Sequence, residues 1–317
     1  MTDTLILHQY AGSPFSEKLR LILGLKRLRW AAVEIPMVMP KPDVVALTGG
    51  YRKTPVLQIG GDIYCDSSLA AKVLERLQPG PTLYPTSAPL AEQFAQWADS
   101  TLFWSVAPWA VQPASAAAVM GRAAPEMFKA FAVDRAAFTA GMKRLNPHEA
   151  RVQVLRHAGA LERQLADGRA FLFGAEVCIA DFSVAHCLWF IRRATPVAGI
   201  LDPFAALNRW LDRMLAFGHG ERSEMTSAEA LAIAAAAGPR APCEVQPGLG
   251  LEAGMPVTAA ATDYGSDAVA GTLVGLDAHE IVLRRTDERA GTVHVHFPRA
   301  GFQVREVKDK PGVQEAR

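Results

Sequence analysis

Residues 53–68, reading KTPVLQIGGDIYCDSS, constrain this chain more than any other stretch. Residues 56–59 and 62–65 are short apolar runs separated by Gly60-Gly61, a pair that supplies the positive φ a two-residue hairpin turn needs. The runs are expected to pair antiparallel. Pro55 opens the first run, where its missing N–H costs the ladder least. After the hairpin, Ala70, Val73, Leu74 and Leu77 recur at helical spacing, which puts Asp66 and Ser67 at a helix N-terminus. Free backbone N–H groups and the positive end of the helix dipole suit a carboxylate there, and an acidic side chain beside them can hold an ammonium. The pair therefore suits the α-amino acid end of a ligand.

Upstream, the apolar run 5–8 is followed by Gly12 and Ser13-Pro14, and then Phe15, Leu19, Ile22 and Leu23 fall on one helical face. Ser13 is a good N-cap, and Pro14 sits at the first helical position, where proline is favoured. Residues 30–35 read as a second strand, 36–42 as an irregular crossover and 44–47 as a weak helical turn. The element order is then β-α-β-α-β-β-α. Three motifs in that order, SPFSEKLR (13–20), KTPVL (53–57) and DSSLAAKVLE (66–75), resemble the glutathione-binding half of the cytosolic glutathione S-transferases, serine-type or omega-like. The resemblance implies an α/β thioredoxin-like, glutathione-binding domain over residues 1–85. In it Pro55 is a cis-proline that exposes the backbone of Thr54 to the ligand.

From Leu90 the sequence turns Ala-rich and helical, so a second, all-helical domain is expected over 90–238. Family resemblance gives it the second-substrate pocket, with Phe103, Trp104 and Trp109 as candidate wall residues and Phe128 and Phe131 in the next helical run. The segment 171–190, FLFGAEVCIADFSVAHCLWF, resembles the start of the family's buried central helix, with Cys178 where a hydroxyl N-cap is usual and Asp181 three residues on. Asp181 can accept from the Cys178 N–H, while the thiol is a weak replacement for a cap that contributes about 1 kcal/mol.

Beyond Gly238 a Pro- and Gly-rich linker gives way to alternating β-branched runs at 256–261, 269–276, 279–285, 292–297 and 302–307. Five short strands suggest a small all-β, barrel-like domain over 243–310, separable from the rest. The family resemblance covers residues 1–235 and does not reach it. Residues 243–317 carry 8 basic and 11 acidic side chains, and their only aromatics are Tyr264, Phe297 and Phe302. Neither phosphate attraction nor base stacking is supported, so a protein contact is a better role for the tail than nucleic acid. His294 and His296 share one face of a strand, with His279 on its neighbour. Without a carboxylate at fixed spacing, they read as the solvent side of an amphipathic strand, and no metal is expected.

The four cysteines show no CxxC or zinc spacing and read as reduced thiols. A formal charge of +1, an N-terminus without a basic leader and an Ala-rich run at 228–237 too short to span a bilayer point to a cytoplasmic protein without a membrane partner.

The resemblance implies glutathione as co-substrate. A thiol of pKa about 8.5 is mostly protonated at neutral pH, and lowering it by about two units takes roughly 2.7 kcal/mol. One hydrogen bond to a charged acceptor supplies roughly 1.5–3 kcal/mol. Ser13 matches the catalytic serine of the serine-type classes, with Ser16 a less favourably placed donor. Asp66 and Ser67 are assigned the γ-glutamyl end, Thr54 the cysteinyl backbone, and Lys41 or Lys53 the glycyl carboxylate. A serine favours conjugation to an electrophile over thiol transfer. The alternatives are a non-catalytic protein-binding scaffold, or a glutathione-dependent isomerase or dehalogenase. The family also implies a homodimer.

Overall fold

The computed structural model describes residues 4–121 and 125–307. The hairpin forms as its residues dictate. Strands β3 (Val56–Ile59) and β4 (Asp62–Cys65) pair antiparallel with Ile59 opposite Asp62, so Gly60-Gly61 is the two-residue turn, with Gly60 at φ +58°. Strand β1 (Leu5–Gln9) runs antiparallel to β3 and parallel to β2 (Arg29–Glu34). Helix α1 (Pro14–Leu25) follows β1, α2 (Pro42–Thr48) fills the crossover, and α3 (Ser67–Leu77) follows the hairpin. The Thr54–Pro55 peptide bond is cis. The thioredoxin-like order inferred from the sequence is the one observed.

The helical region comprises α4 (Ala91–Trp97), a π-turn at Ala98–Leu102, α5 (Phe103–Ala110), α6 (Ala116–Met120), α7 (Pro125–Phe138), α8 (Pro147–Leu165), α9 (Ile179–Arg193) and α10 (Ala205–Leu215). Helix α9 is the buried centre, and it starts with a reciprocal capping box in which the Cys178 thiol accepts from the Asp181 N–H and also donates in turn. The Cys178 thiol lies 3.2 Å from the Asp181 carboxylate and donates to it, while Asp181 also accepts from the backbone N–H groups of Cys178 and Leu172 and from the Trp210 indole. Burial, together with the neighbouring Asp181, pushes the Cys178 thiol up to about 12, so it stays a donor. All four cysteines are free thiols.

After α10 the chain returns to the first domain. Strand β5 (Glu221–Glu224) pairs parallel with β2, and α11 (Ser227–Ala237) lies under the sheet. Its start is a capping box, with Thr226 and Glu229 exchanging bonds. The side-chain amide of buried Gln58 donates to the Ala230 carbonyl at 2.8 Å and ties this helix to β3. The tail then supplies β6 (Pro256–Ala261), β7 (Val269–Leu276), β8 (Glu280–Asp287), β9 (Gly291–Pro298) and β10 (Phe302–Glu306). The end of the expected third domain, residues 308–310, lies outside the described residues.

These five strands are present, but their arrangement departs from a free-standing barrel. The sheet has ten strands in the order β10-β6-β7-β8-β9-β4-β3-β1-β2-β5, and β9 joins the first domain by pairing parallel with β4. With β4 on its outer edge, β9 makes no pairing to β10 among the described residues. The first-domain strands β1 to β4 are buried on both faces. Leu5, Leu7, Trp30 and Ala32 point to the core shared with α1, α3 and the helical region. The alternate residues Ile6, Ala31 and Val33 point to a second core with α2, α11 and the tail strands. A strand covered on both sides reads as a continuous apolar run, which is how β1 and β2 read in the sequence.

Candidate active site

Ser13 ends β1's loop with extended backbone (φ −76°, ψ 120°), and its Oγ accepts from the Ser16 N–H at 3.2 Å, capping α1. Pro14 follows at the first helical position. The cap places the Ser13 side chain on the wall of a cavity of about 850 Å³ between the thioredoxin-like and helical parts. Such a volume lies in the range of small-molecule sites. Ser13, Lys53, Thr54, Phe103 and Trp104 all line it. Phe128, Phe131 and Phe138 of α7 form the opposite wall.

The other sequence candidates lie off this wall. Trp109 is half-buried, and its indole donates to the Val197 carbonyl at 3.2 Å, within the helical core. Lys41 is buried behind Thr54, its Nζ 3.2 Å from Thr54 Oγ1 and 3.4 Å from the Arg52 carbonyl. Burial, and then nearby Arg135, pull its pKa down to about 8. Ser16 is fully buried and faces away from the cavity wall, as its place inside the helix implies.

Asp66 caps α3 at φ +77°, a strained conformation for a residue with a side chain and one that gathers at binding sites. Its Oδ1 accepts from both the N–H and the hydroxyl of Ser68, at 2.8 and 2.6 Å. Ser67 is buried at the first position of the helix.

Sequence reasoning missed the tail's part in this cavity. The loop between β6 and β7 reaches over the cleft, and Tyr264 lines it. The Tyr264 ring stands edge-on to Trp104 (centroids 4.8 Å apart) and to Phe138 (5.1 Å), and the Lys53 ammonium lies 4.0 Å from its centroid. Asp263 pairs with Lys53 at 2.6 Å, and Gly265 donates to the Phe138 carbonyl at 3.0 Å. Gly265 has φ +55°, and a Cβ there would meet the Phe138 ring at 2.3 Å, so only glycine permits this approach. No local signal in TDYGSD announces a partner more than 120 residues earlier.

The wall is apolar with a cationic part. Arg52, Lys53, Arg135 and Arg144 line it, and among the described residues no carboxylate does. Arg52 and Arg135 both lean on Asp134, and Arg135 lies 4.6 Å from the Phe131 centroid. An aromatic ligand carrying negative charge matches this lining best.

Helix α1 is clamped to the helical region from below. Lys18, fully buried, contacts Asp99 at 2.5 Å, and the His186 ring nitrogen lies 3.0 Å from the same carboxylate. Burial pushes the Asp99 carboxyl up, but Lys18 and His186 outweigh it and hold it at about 2. No helix among the described residues is long and apolar enough to cross a membrane.

Residues 7–82 match the family model for the glutathione S-transferase N-terminal domain, and residues 117–213 that for the C-terminal domain. A GST-like protein from Pseudomonas syringae is 42% identical, with a TM-score of 0.80 over 97% of this chain and 100% of that one. At that coverage the β tail is part of the likeness. A glutathione S-transferase from Rhodospirillum rubrum F11 (21% identical, TM-score 0.51, 67% of this chain and 88% of that one) shares the fold. So does FzlA from C. crescentus (20% identical, TM-score 0.51, 78% and 95%). No curated protein matches the sequence.

Proposed function

As this chain belongs to the glutathione S-transferase family, we propose that it binds glutathione along the cis-Pro55 edge and adds its thiolate to an electrophile in the aromatic cavity. The observation that carries this reading is that the Ser13 hydroxyl, at the N-terminus of α1, shares one cavity with Thr54 and the rings of Phe103 and Trp104. The hydroxyl donates to the sulfur and favours the thiolate, and the helix N-terminus adds to the effect. The backbone of Thr54 meets the cysteinyl unit. Oδ2 of Asp66, with Ser67 and the start of α3, takes the γ-glutamyl end. Lys53, on the wall, is the cation for the glycyl carboxylate, while Lys41 acts from behind by fixing Thr54. The electrophile is aromatic and anionic, and the protein works as a cytoplasmic homodimer, for which light scattering should give a single peak of twice the chain mass.

The test is a calorimetric titration with glutathione, followed by ultraviolet titration of the bound thiol. Ser13→Ala should leave the affinity within a few-fold and raise the bound thiol's pKa by about one to two units, the equivalent of one charge-assisted hydrogen bond. An unchanged pKa would reject Ser13 as the activating donor.

One observation favours a second reading. Asp263 already occupies Lys53, so the tail holds the cation that the glycyl carboxylate needs. In that reading the protein is a non-catalytic member of the fold, with the tail standing in for the ligand. Absence of saturable glutathione binding in the full chain, together with binding by Asp263→Ala, would select it.

A further inference from the structure

At the seam between the tail and the first domain, β4 and β9 run parallel with Asp62 opposite His294 and Tyr64 opposite His296. This register collects Asp62, His294 and His296 so that one ligand atom from each lies within 4.8 Å of the others. The expectation that the histidines face solvent holds for exposed His279 and is corrected for His296, which is 1% exposed, beside Asp62 at 3%. The carboxylate missing from the local sequence comes from a strand more than 230 residues upstream. His294 is half-buried and leaves a path from solvent.

We propose that Asp62, His294 and His296 form a site for a divalent transition metal ion of the zinc type. The Asp62–His296 spacing comes within about 0.2 Å of what one needs. Metal–nitrogen and metal–oxygen bonds of about 2.0–2.2 Å and a metal–sulfur bond of about 2.3 Å give tetrahedral edges of roughly 3.3–3.7 Å. Here Asp62 Oδ1 is 3.1 Å from His296 Nε2, and Cys243 Sγ is 3.8 Å from His294 Nδ1. The sulfur stands beside His294, outside the set of three. Nitrogen and oxygen donors together select zinc-like ions over calcium or magnesium, which prefer oxygen alone.

The surroundings hold the donors in place as metal sites require. Glu280 binds Nδ1 of His296 at 2.5 Å and so directs Nε2 toward Asp62 and His294. The other Asp62 oxygen accepts from the backbone N–H groups of Arg240 and Ala241 at 2.7 and 2.9 Å. A purely structural ion network of Asp62, His296 and Glu280 would account for those three residues. It leaves His294 unexplained, since among the described residues its ring makes no hydrogen bond to nitrogen or oxygen and has only the thiol at 3.8 Å. His294 is therefore the residue on which the two accounts differ.

The experiment uses the full chain, stripped with a chelator and titrated with zinc chloride by calorimetry. The expected result is one zinc per chain, a Tm that rises with zinc and falls with chelator, and cobalt(II) absorption of tetrahedral intensity. His294→Ala, at a half-buried position, should keep its near-ultraviolet circular dichroism, lose at least tenfold in zinc affinity and lose the zinc-dependent rise in Tm. Because Asp62→Asn disturbs two backbone contacts, it serves only as a second variant, read by cobalt spectroscopy. Zinc binding by the parent chain that is absent, or equal to that of His294→Ala, would overturn the proposal.

Discussion

The helical region and the β tail are attached to the thioredoxin-like domain by different means. The helical region packs side chains against α1 and α3 and inserts the buried charge network Lys18–Asp99–His186. The tail also shares a side-chain core with the first domain, but it joins through backbone as well, continuing the sheet across β4 and β9, and adds the Lys53–Asp263 pair over the cleft. Side-chain attachment leaves an amphipathic pattern in the sequence. Backbone attachment leaves almost none, because any strand with free N–H and C=O groups can accept a neighbour.

The largest effect should come from deleting the chain after Gly238. Read from sequence, the tail is separable. In the structure its loss leaves β4 as a bare edge and uncovers Val44, Leu47, Val56 and Ile63, which share a core with Leu273, Val293, Val295 and Phe297. Burial of each such side chain contributes about 1.5–3 kcal/mol, so uncovering these four costs about 6–12 kcal/mol, as large as a total stability of about 5–15 kcal/mol. The truncated protein should be insoluble or lack a cooperative urea transition. A soluble, glutathione-binding fragment would show that the two regions are independent after all.

Next in size is Asp99→Asn, which leaves Lys18 buried without its counter-charge and should cost about 3–5 kcal/mol in urea unfolding. The pH dependence has a defined sign. Asp99 has its carboxyl lowered from 3.8 to about 2, so its stabilisation is complete above about pH 4 and is lost as pH falls through 2. In the parent chain the acid unfolding midpoint should lie above that of a variant in which both Asp99 and Lys18 are replaced by apolar residues, because only the parent loses this stabilisation as pH falls. Equal midpoints would remove the clamp from the comparison.

Two smaller changes probe the tail's loop. Tyr264→Ala removes two edge-on ring contacts, each contributing about 0.5–1.5 kcal/mol, and should raise KM for an aromatic electrophile several-fold with glutathione affinity unchanged. An unaltered KM would mean that the loop only borders the cavity. Asp263→Ala breaks a pair whose acidic partner is 51% exposed, so its stability effect should stay below about 1 kcal/mol. Freeing Lys53 should tighten glutathione binding a few-fold, which calorimetry can detect.

Much of the site was legible because its parts are local. Ser13 caps the helix that begins beside it, and Asp66 caps α3 directly after the hairpin. The hairpin bounds follow from Gly60-Gly61 alone. Three of the five tail strands have their first residue where the alternation puts it. The capping box at Thr226 was a local signal for α11 that the sequence reading passed over. Lys41 and Lys53 were equivalent in sequence, and only burial separates them, one behind Thr54 and the other on the wall.

The sequence by itself determined the secondary elements, the caps and the cleft-facing start of α1, since these depend on φ, on hydrogen bonds within a few residues and on apolar period. Only the tertiary structure decided which strand lies beside β4. Gly61 shows the limit: it reads as a turn residue, yet a Cβ on it would stand 2.4 Å from the Gly238 carbonyl carbon, so it also makes room for the returning chain. The same return sets Asp62 beside His294 and Tyr264 beside Trp104. Contacts between residues hundreds of positions apart are fixed by how the whole sheet closes its two cores, and no window of sequence contains both partners.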